Sequence, residues 1–233
     1  MIGRAVAAGI LPFRTPLDVT RAIPAAIAQL RSGRLVAHPT ETVYGVGGSI
    51  ESAGLAALAQ TKPRDAKGFV VLIAGRAMLP CIAPGVELAG AAALLADRYW
   101  PGPLTLVLRA PAGSVPDRLR GPAAPDGSPG GIAVRWTSHP GLQRLLLAYG
   151  APLTSTSANA PGVPPALTVQ EIAATWPDAI ARGELCILDG GALPPSAAST
   201  VVDCTGTRPR ILRAGAIGQV ALKSTVPHLI GVE

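Results

Sequence analysis

Apolar residues recur at Ile23, Ala26, Ile27 and Leu30, the i, i+3, i+4, i+7 spacing of one helical face. Thr15 and Asp18 stand ahead of them as cap candidates and Gly33 follows as a stop, so a helix is predicted over 15–33. Further helices are predicted over 52–61, 87–99, 139–149 and 168–176. Between them lie short, nearly continuous apolar runs bounded by Gly, Pro and small polar residues: 35–38, 69–73, 104–108, 132–136, 152–156, 185–188, 200–203 and 211–213. Runs of that length without strict alternation read as buried strands. Helices and strands alternate with no repeat period. The predicted class is therefore α/β with a mixed sheet, flanking helices and one core. Residues 110–131, with five prolines and five glycines, are predicted as the main loop.

Composition sharpens this picture. The chain has 233 residues, 48% of them hydrophobic, which suits one generous domain and excludes wholesale disorder. Only 3% are aromatic, so the core must be mainly Ala, Val, Leu and Ile. The formal charge is +6, and Lys62, Lys67 and Lys223 are the only lysines. An Arg-rich basic balance favours anionic partners, yet no block of consecutive cations marks a nucleic-acid tail. Cys81, Cys186 and Cys204 are odd in number and widely spaced, which argues against a disulfide framework or a zinc site. The apolar stretch 88–96 is too short to span a bilayer. The segment 5–11 lacks a cleavage pattern before Pro12-Phe13-Arg14, so the expected location is cytoplasmic.

Stock catalytic motifs are missing. There is no GxxxxGK[ST], no HExxH and no GxSxG, and Gly45-Val46-Gly47-Gly48 does not fit GxGxxG. Several polar clusters remain at strand ends. Pro39-Thr40-Glu41-Thr42-Val43-Tyr44-Gly45 offers two hydroxyls and a carboxylate, suited to a small polar ligand or simply to a capped turn. Lys62-Pro63-Arg64-Asp65-Ala66-Lys67-Gly68 places three cations within six residues, as a triphosphate site or a solvated basic loop would. Tyr99-Trp100-Pro101-Gly102-Pro103 reads as a structural turn. Ser155-Thr156-Ser157-Ala158-Asn159 crowds hydroxyl and amide donors at a strand end and contains the only asparagine, fitting phosphate oxygens or a plain Ser/Thr turn. Ser199 and Arg213 each stand beside an apolar strand.

Taken in order, these segments resemble the YrdC/TsaC family of threonylcarbamoyl-AMP synthases from Pro39 to about Gly215. The resemblance implies a twisted sheet around a large, basic, concave cavity, with a catalytic domain over 15–220 flanked by an extension (1–14) and a tail (224–233). It implies an enzyme that joins L-threonine, bicarbonate and ATP into threonylcarbamoyl-AMP, releasing pyrophosphate. Mg²⁺ would accompany ATP, and separate transfer proteins would modify tRNA beside the anticodon. The family's Lys-x-Arg and Ser-x-Asn tetrad falls on Lys62, Arg64, Ser157 and Asn159. Threonine contacts fall on Thr42, Arg135 and Ser199, and nucleotide contacts on Arg64, Lys67, Ser155, Ser157 and Arg213. Asp65, Pro161 and Pro165 depart from the family pattern, the last two removing hydroxyls from the nucleotide end. Two other readings stay open: an RNA-binding protein of the same fold without turnover, and a carbamoyl-adenylate enzyme serving another acceptor. With eight aromatic residues, base stacking is a poor basis for the first, which leaves shape-based double-stranded RNA.

Overall fold

A computed structural model describes residues 9–62, 68–86, 88–123, 127 and 129–232. Strands are β1 (Ile10–Pro12), β2 (Leu35–His38), β3 (Gly45–Gly47), β4 (Val70–Ile73), β5 (Leu104–Leu108), β6 (Ile132–Trp136), β7 (Leu153–Ser157), β8 (Leu185–Asp189), β9 (Thr200–Asp203) and β10 (Arg210–Arg213). Helices are α1 (Pro16–Arg31), α2 (Ser52–Thr61), α3 (Leu79–Ile82), α4 (Gly90–Tyr99), α5 (Pro140–Tyr149), α6 (Val169–Thr175), α7 (Pro177–Ala181) and α8 (Gln219–Thr225). The strands form one mixed sheet in the order β1-β8-β2-β3-β7-β4-β6-β5-β9-β10.

Local chemistry accounts for the helix ends. Thr15 and Asp18 close a reciprocal capping box at the start of α1: the Asp18 N–H donates to Thr15 Oγ1 at 3.1 Å and the Thr15 N–H to Asp18 Oδ2 at 3.0 Å. Thr168 and Glu171 repeat the device at α6. Gly150, with φ of 77°, ends α5 in the left-handed region that suits glycine. The turn before β5 is structural: buried Trp100 donates its indole N–H to the Leu104 carbonyl at 2.7 Å.

Cross-strand partners share a face, and this decides where the site lies. Leu72 pairs with both Leu153 and Arg135, and Val70 with both Ser155 and Ala133. Over part of this face α1 and α5 form a lid: Ala22, Ala26 and Leu30 pack with Leu142, Leu145 and Leu146 onto Val36, Leu72, Leu153 and Leu188. Toward β6, β5 and β9 the same face changes character: Arg135, Ala133, Val107 and Asp203 line clefts, and Thr105 is a buried polar residue. The opposite face is largely apolar, with Val71, Ile73, Leu104, Leu106, Val134, Val202 and Ile211 in the larger core under α4 and α8, and it also carries the buried Thr154 and Thr200.

Three sequence expectations change. Residues 10–12 are not an extension but a strand, since β1 pairs in parallel with β8 and Phe13 is buried against α1 and α5. The last ten residues are not simply a tail: Val226 and Leu229 enter the core and Ile230 bridges to Arg210. The domain boundaries at 15 and 220 are thus too narrow. Gly45-Val46-Gly47, left without structure by the sequence, is β3, wedged between β2 and β7.

Candidate active site

The β2–β3 connection carries the Thr40–Tyr44 stretch and is tightly bonded internally. Thr40 Oγ1 donates to the Val43 carbonyl at 2.7 Å, which leaves the Thr42 hydroxyl to donate to Thr40 Oγ1 at 3.0 Å. The Tyr44 hydroxyl donates to the Gly191 carbonyl (2.7 Å) and accepts from the Gly190 N–H (3.0 Å), and Ser196 donates to the Thr42 carbonyl (2.7 Å). Burial pushes the Tyr44 phenol up to about 12, so it stays protonated.

Three predicted residues converge at the end of β7. The Lys62 ammonium, at the C-terminus of α2, donates to Asn159 Oδ1 at 2.6 Å, to Ser157 Oγ at 3.2 Å and to the Ser157 carbonyl. Asn159 donates in turn to the Ala160 carbonyl at 3.1 Å and to the Val163 carbonyl, which fixes which end of the amide faces the lysine. Lys62 is only 7% exposed, and these partners compensate its desolvation. Arg64 and Lys67 lie outside the described residues.

A cleft beside this cluster is lined by Arg135, Ser155, Ser157, Ser199 and Arg213, together with Thr40, Val43 to Gly45 and Val70. Arg135 donates to Thr42 Oγ1 at 3.1 Å and pairs with Glu41 at 3.0 Å. Arg213 donates to the Ser199 carbonyl at 2.7 Å and to Ser199 Oγ at 3.0 Å, while Ser199 and Thr105 share a 2.8 Å hydrogen bond. A β-bulge makes Arg213 available: Ile211 pairs with Val202 on the core face, yet Arg213 pairs with Val201 on the cleft face. A second hollow of about 280 Å³ adjoins it on the same sheet face, lined by Val107, Leu119, Gly121, Gly130, Gly131, Ala133 and Leu212.

Seven predicted site residues with described structure (Lys62, Ser157, Asn159, Thr42, Arg135, Ser199 and Arg213) are thus linked by direct hydrogen bonds within three small groups. Ser155 joins them in the cleft. Residues outside the predicted site set also belong here. Glu41 binds Arg135, Thr137 binds Glu41, and His38 Nε2 approaches Ser155 Oγ at 3.5 Å from behind the cleft. Burial, followed by the nearby His139, lowers His38 to about 4 and keeps it neutral. Glu41 was visible only as part of a polar cluster; nothing in the sequence signalled His38.

Comparisons with known proteins identify the family. The Sua5–YciO–YrdC family model, described as telomere recombination, matches residues 28–215. The chain belongs to this family. A threonylcarbamoyl-AMP synthase of Escherichia coli O1:K1 is 38% identical over 179 residues, 75% of this chain and 88% of its own length. One from Chromohalobacter salexigens is 37% identical over 182 residues, covering 76% of this chain and 90% of the relative. Among solved structures of the Sua5–YciO–YrdC family, P. abyssi Sua5 complexed with L-threonine superposes with a TM-score of 0.82 and 30% identity. That match covers 96% of this chain, which spans 62% of the P. abyssi protein's length. E. coli YciO gives a TM-score of 0.72 at 26% identity, covering 91% of this chain and 97% of YciO.

Proposed function

We propose that the chain is a threonylcarbamoyl-AMP synthase. The observation that carries this reading is the convergence of Arg135, Ser155, Ser157, Ser199 and Arg213 on one cleft, with the Lys62–Ser157–Asn159 cluster at its edge. Its relatives named as such synthases, and the relative solved with L-threonine, support it.

The amine of threonine adds to the carbon of bicarbonate-derived CO₂, giving an N-carboxylated threonine. An oxygen of its new carboxylate then forms a bond to the α-phosphorus of ATP as the bond to pyrophosphate breaks. The attacking group is already an anion, so no histidine or serine nucleophile is needed. The protein must hold two anions together and stabilise the charge added on phosphorus. Lys62 and Arg64 set positive charge beside the phosphate and carbamate oxygens, the Ser157 hydroxyl donates to them, Asn159 orients Lys62, and Arg213 reaches them from the opposite strand. Arg135 pairs with the threonine carboxylate. The remaining lone pair of Thr42, with Ser199, reads the threonine hydroxyl. The neighbouring hollow, with its small apolar walls, suits a nucleobase.

Mg²⁺ would accompany ATP and would supply charge that offsets its phosphates. Among the described residues no group of three or more His, Cys, Asp or Glu is placed to hold it, so no step is assigned to the protein through the metal. No described helix is long and apolar enough to cross a membrane. A cytoplasmic location, and hand-over of the product to tRNA-modifying partners, go with the proposal.

The test is pyrophosphate release from ATP, which is expected to require threonine and bicarbonate together. Arg64→Ala is expected to lower it by at least about tenfold, the equivalent of losing one charge-assisted hydrogen bond. Salt-sensitive RNA binding with no ATP consumption would instead favour the RNA-binding alternative.

A further inference from the structure

The proposed reaction leaves one half-buried charge beside Arg135 without a task. Glu41 receives three donors at once: the Arg135 guanidinium at 3.0 Å and the Ser138 N–H at 3.1 Å on Oε1, and the Thr137 hydroxyl at 2.6 Å on Oε2. Burial alone would push its carboxyl up, but Arg135 and the Thr137 hydroxyl hold it below the usual carboxylate value. On Arg135, the nitrogen that meets Glu41 also donates to Thr42 Oγ1 at 3.1 Å, whereas Nε is enclosed and has no partner. One terminal nitrogen of the guanidinium is therefore held by Glu41 and Thr42 of the β2–β3 connection, Glu41 is held in turn by the turn after β6, and Nε of the same cation has no partner among the described residues. A merely structural ion pair would be expected to use the guanidinium's whole fork, since an unpaired buried donor is unfavourable.

We propose that Glu41 is a positioning residue: it holds Arg135 in the one orientation that offers its remaining donors to the carboxylate of the amino-acid substrate. This inference rests on the synthase reading for the identity of that substrate. It makes Glu41 a determinant of amino-acid affinity that never touches the amino acid.

Glu41→Gln tests it. A glutamine has one acceptor oxygen where three donors converge, and its amide N–H groups oppose the Thr137 or Ser138 donors, so the clamp cannot re-form intact. The KM for threonine is expected to rise at least about tenfold, with kcat at saturating threonine and the KM for ATP within about twofold. Thr137→Val removes the hydrogen bond to Glu41 and the one its hydroxyl accepts from the His139 N–H at 3.2 Å, while keeping every charge. It is expected to raise the threonine KM about threefold in the same selective way, and it carries the test if the glutamine variant does not fold. A threonine KM that is unchanged or lower in both variants, or KM values for threonine and ATP that rise together, would overturn the proposal. A readout independent of turnover separates it from the synthase reading. The Arg135 Nε–Hε NMR cross-peak, assigned by its loss in Arg135→Lys, is expected to be sharp in the wild type and to broaden or move toward free arginine in Glu41→Gln. An unchanged cross-peak refutes the positioning role even in an active enzyme. A changed cross-peak in a protein that releases no pyrophosphate sinks the synthase reading and leaves the clamp standing.

Discussion

Lys62 and Asn159 are 97 residues apart in sequence, yet the lysine ammonium donates to the asparagine Oδ1 at 2.6 Å. The contact ties the end of α2 to the end of β7 and sets a cation beside the Ser157 hydroxyl at 3.2 Å. The neutrality of the asparagine is what matters chemically. It orients the ammonium without cancelling its positive charge.

Asn159→Asp is therefore expected to be more damaging than its small change in shape suggests. An aspartate pairs with Lys62 as a counter-ion, repels an incoming anion and drops the donors to the Ala160 and Val163 carbonyls. Threonine-dependent pyrophosphate release is expected to fall at least about tenfold, and Lys62→Met to do the same, with unchanged circular dichroism. Wild-type rates in either variant would remove this cluster from the mechanism.

Arg213 approaches the cleft from the far strand, with Nε and a terminal nitrogen on the Ser199 carbonyl at 3.2 and 2.7 Å. A lysine keeps the charge but cannot reproduce that fork. Arg213→Lys is expected to raise the KM for ATP at least about fivefold while the KM for threonine moves less than about twofold. Steady-state kinetics with each substrate varied in turn decide this. Equal shifts for both substrates would show that Arg213 supports the cleft in general.

How far the sequence could be read depended on whether an element's signal was local. The α1 helix was legible because Thr15, Asp18 and the Ile23-to-Leu30 stripe are all within one segment. The strands β5, β6 and β9 were legible as short apolar runs between breakers. By contrast, β3 is Gly45-Val46-Gly47, and its glycines answer to neighbours more than a hundred residues downstream. A Cβ on Gly47 would lie 1.7 Å from the Thr154 carbonyl oxygen. The three-residue β1 takes its identity from pairing with β8, which no local pattern encodes. The site followed the same rule. Lys62, Ser157 and Asn159 could be grouped only through resemblance to a family, and Glu41 and His38 acquire their roles from cross-strand packing alone.

Gly45 offers a direct check on that packing. A Cβ there would sit 2.6 Å from Ser155 Oγ and 2.8 Å from His38 Cε1, so Gly45→Ala must displace both. Overpacking of this kind typically costs about 1–3 kcal/mol. The midpoint of thermal unfolding is expected to drop by roughly 3–10 °C, and pyrophosphate release at permissive temperature to fall with it. A variant of wild-type stability would mean that His38 and Ser155 have more room than the 2.6 and 2.8 Å approaches allow.

His38 provides the pH dependence. Buried next to Ser155, it has its folded value lowered to about 4 from 6.5 by loss of hydration and by His139. Below pH 6.5 the unfolded chain therefore takes up a proton that the folded chain refuses. The neutral histidine's contribution to stability is complete above pH 6.5 and is lost as pH falls toward 4. Between pH 7.5 and 5 this linkage amounts to about 2 kcal/mol. Urea unfolding at pH 7.5, 6 and 5 is expected to show the wild type losing about that much more stability than His38→Gln, which has nothing to titrate at this position. The carboxylates common to both proteins cancel in the difference. Parallel pH curves for the two proteins would show that His38 takes up its proton in the folded state as readily as in the unfolded chain, and that its enclosure behind Ser155 does not exclude charge.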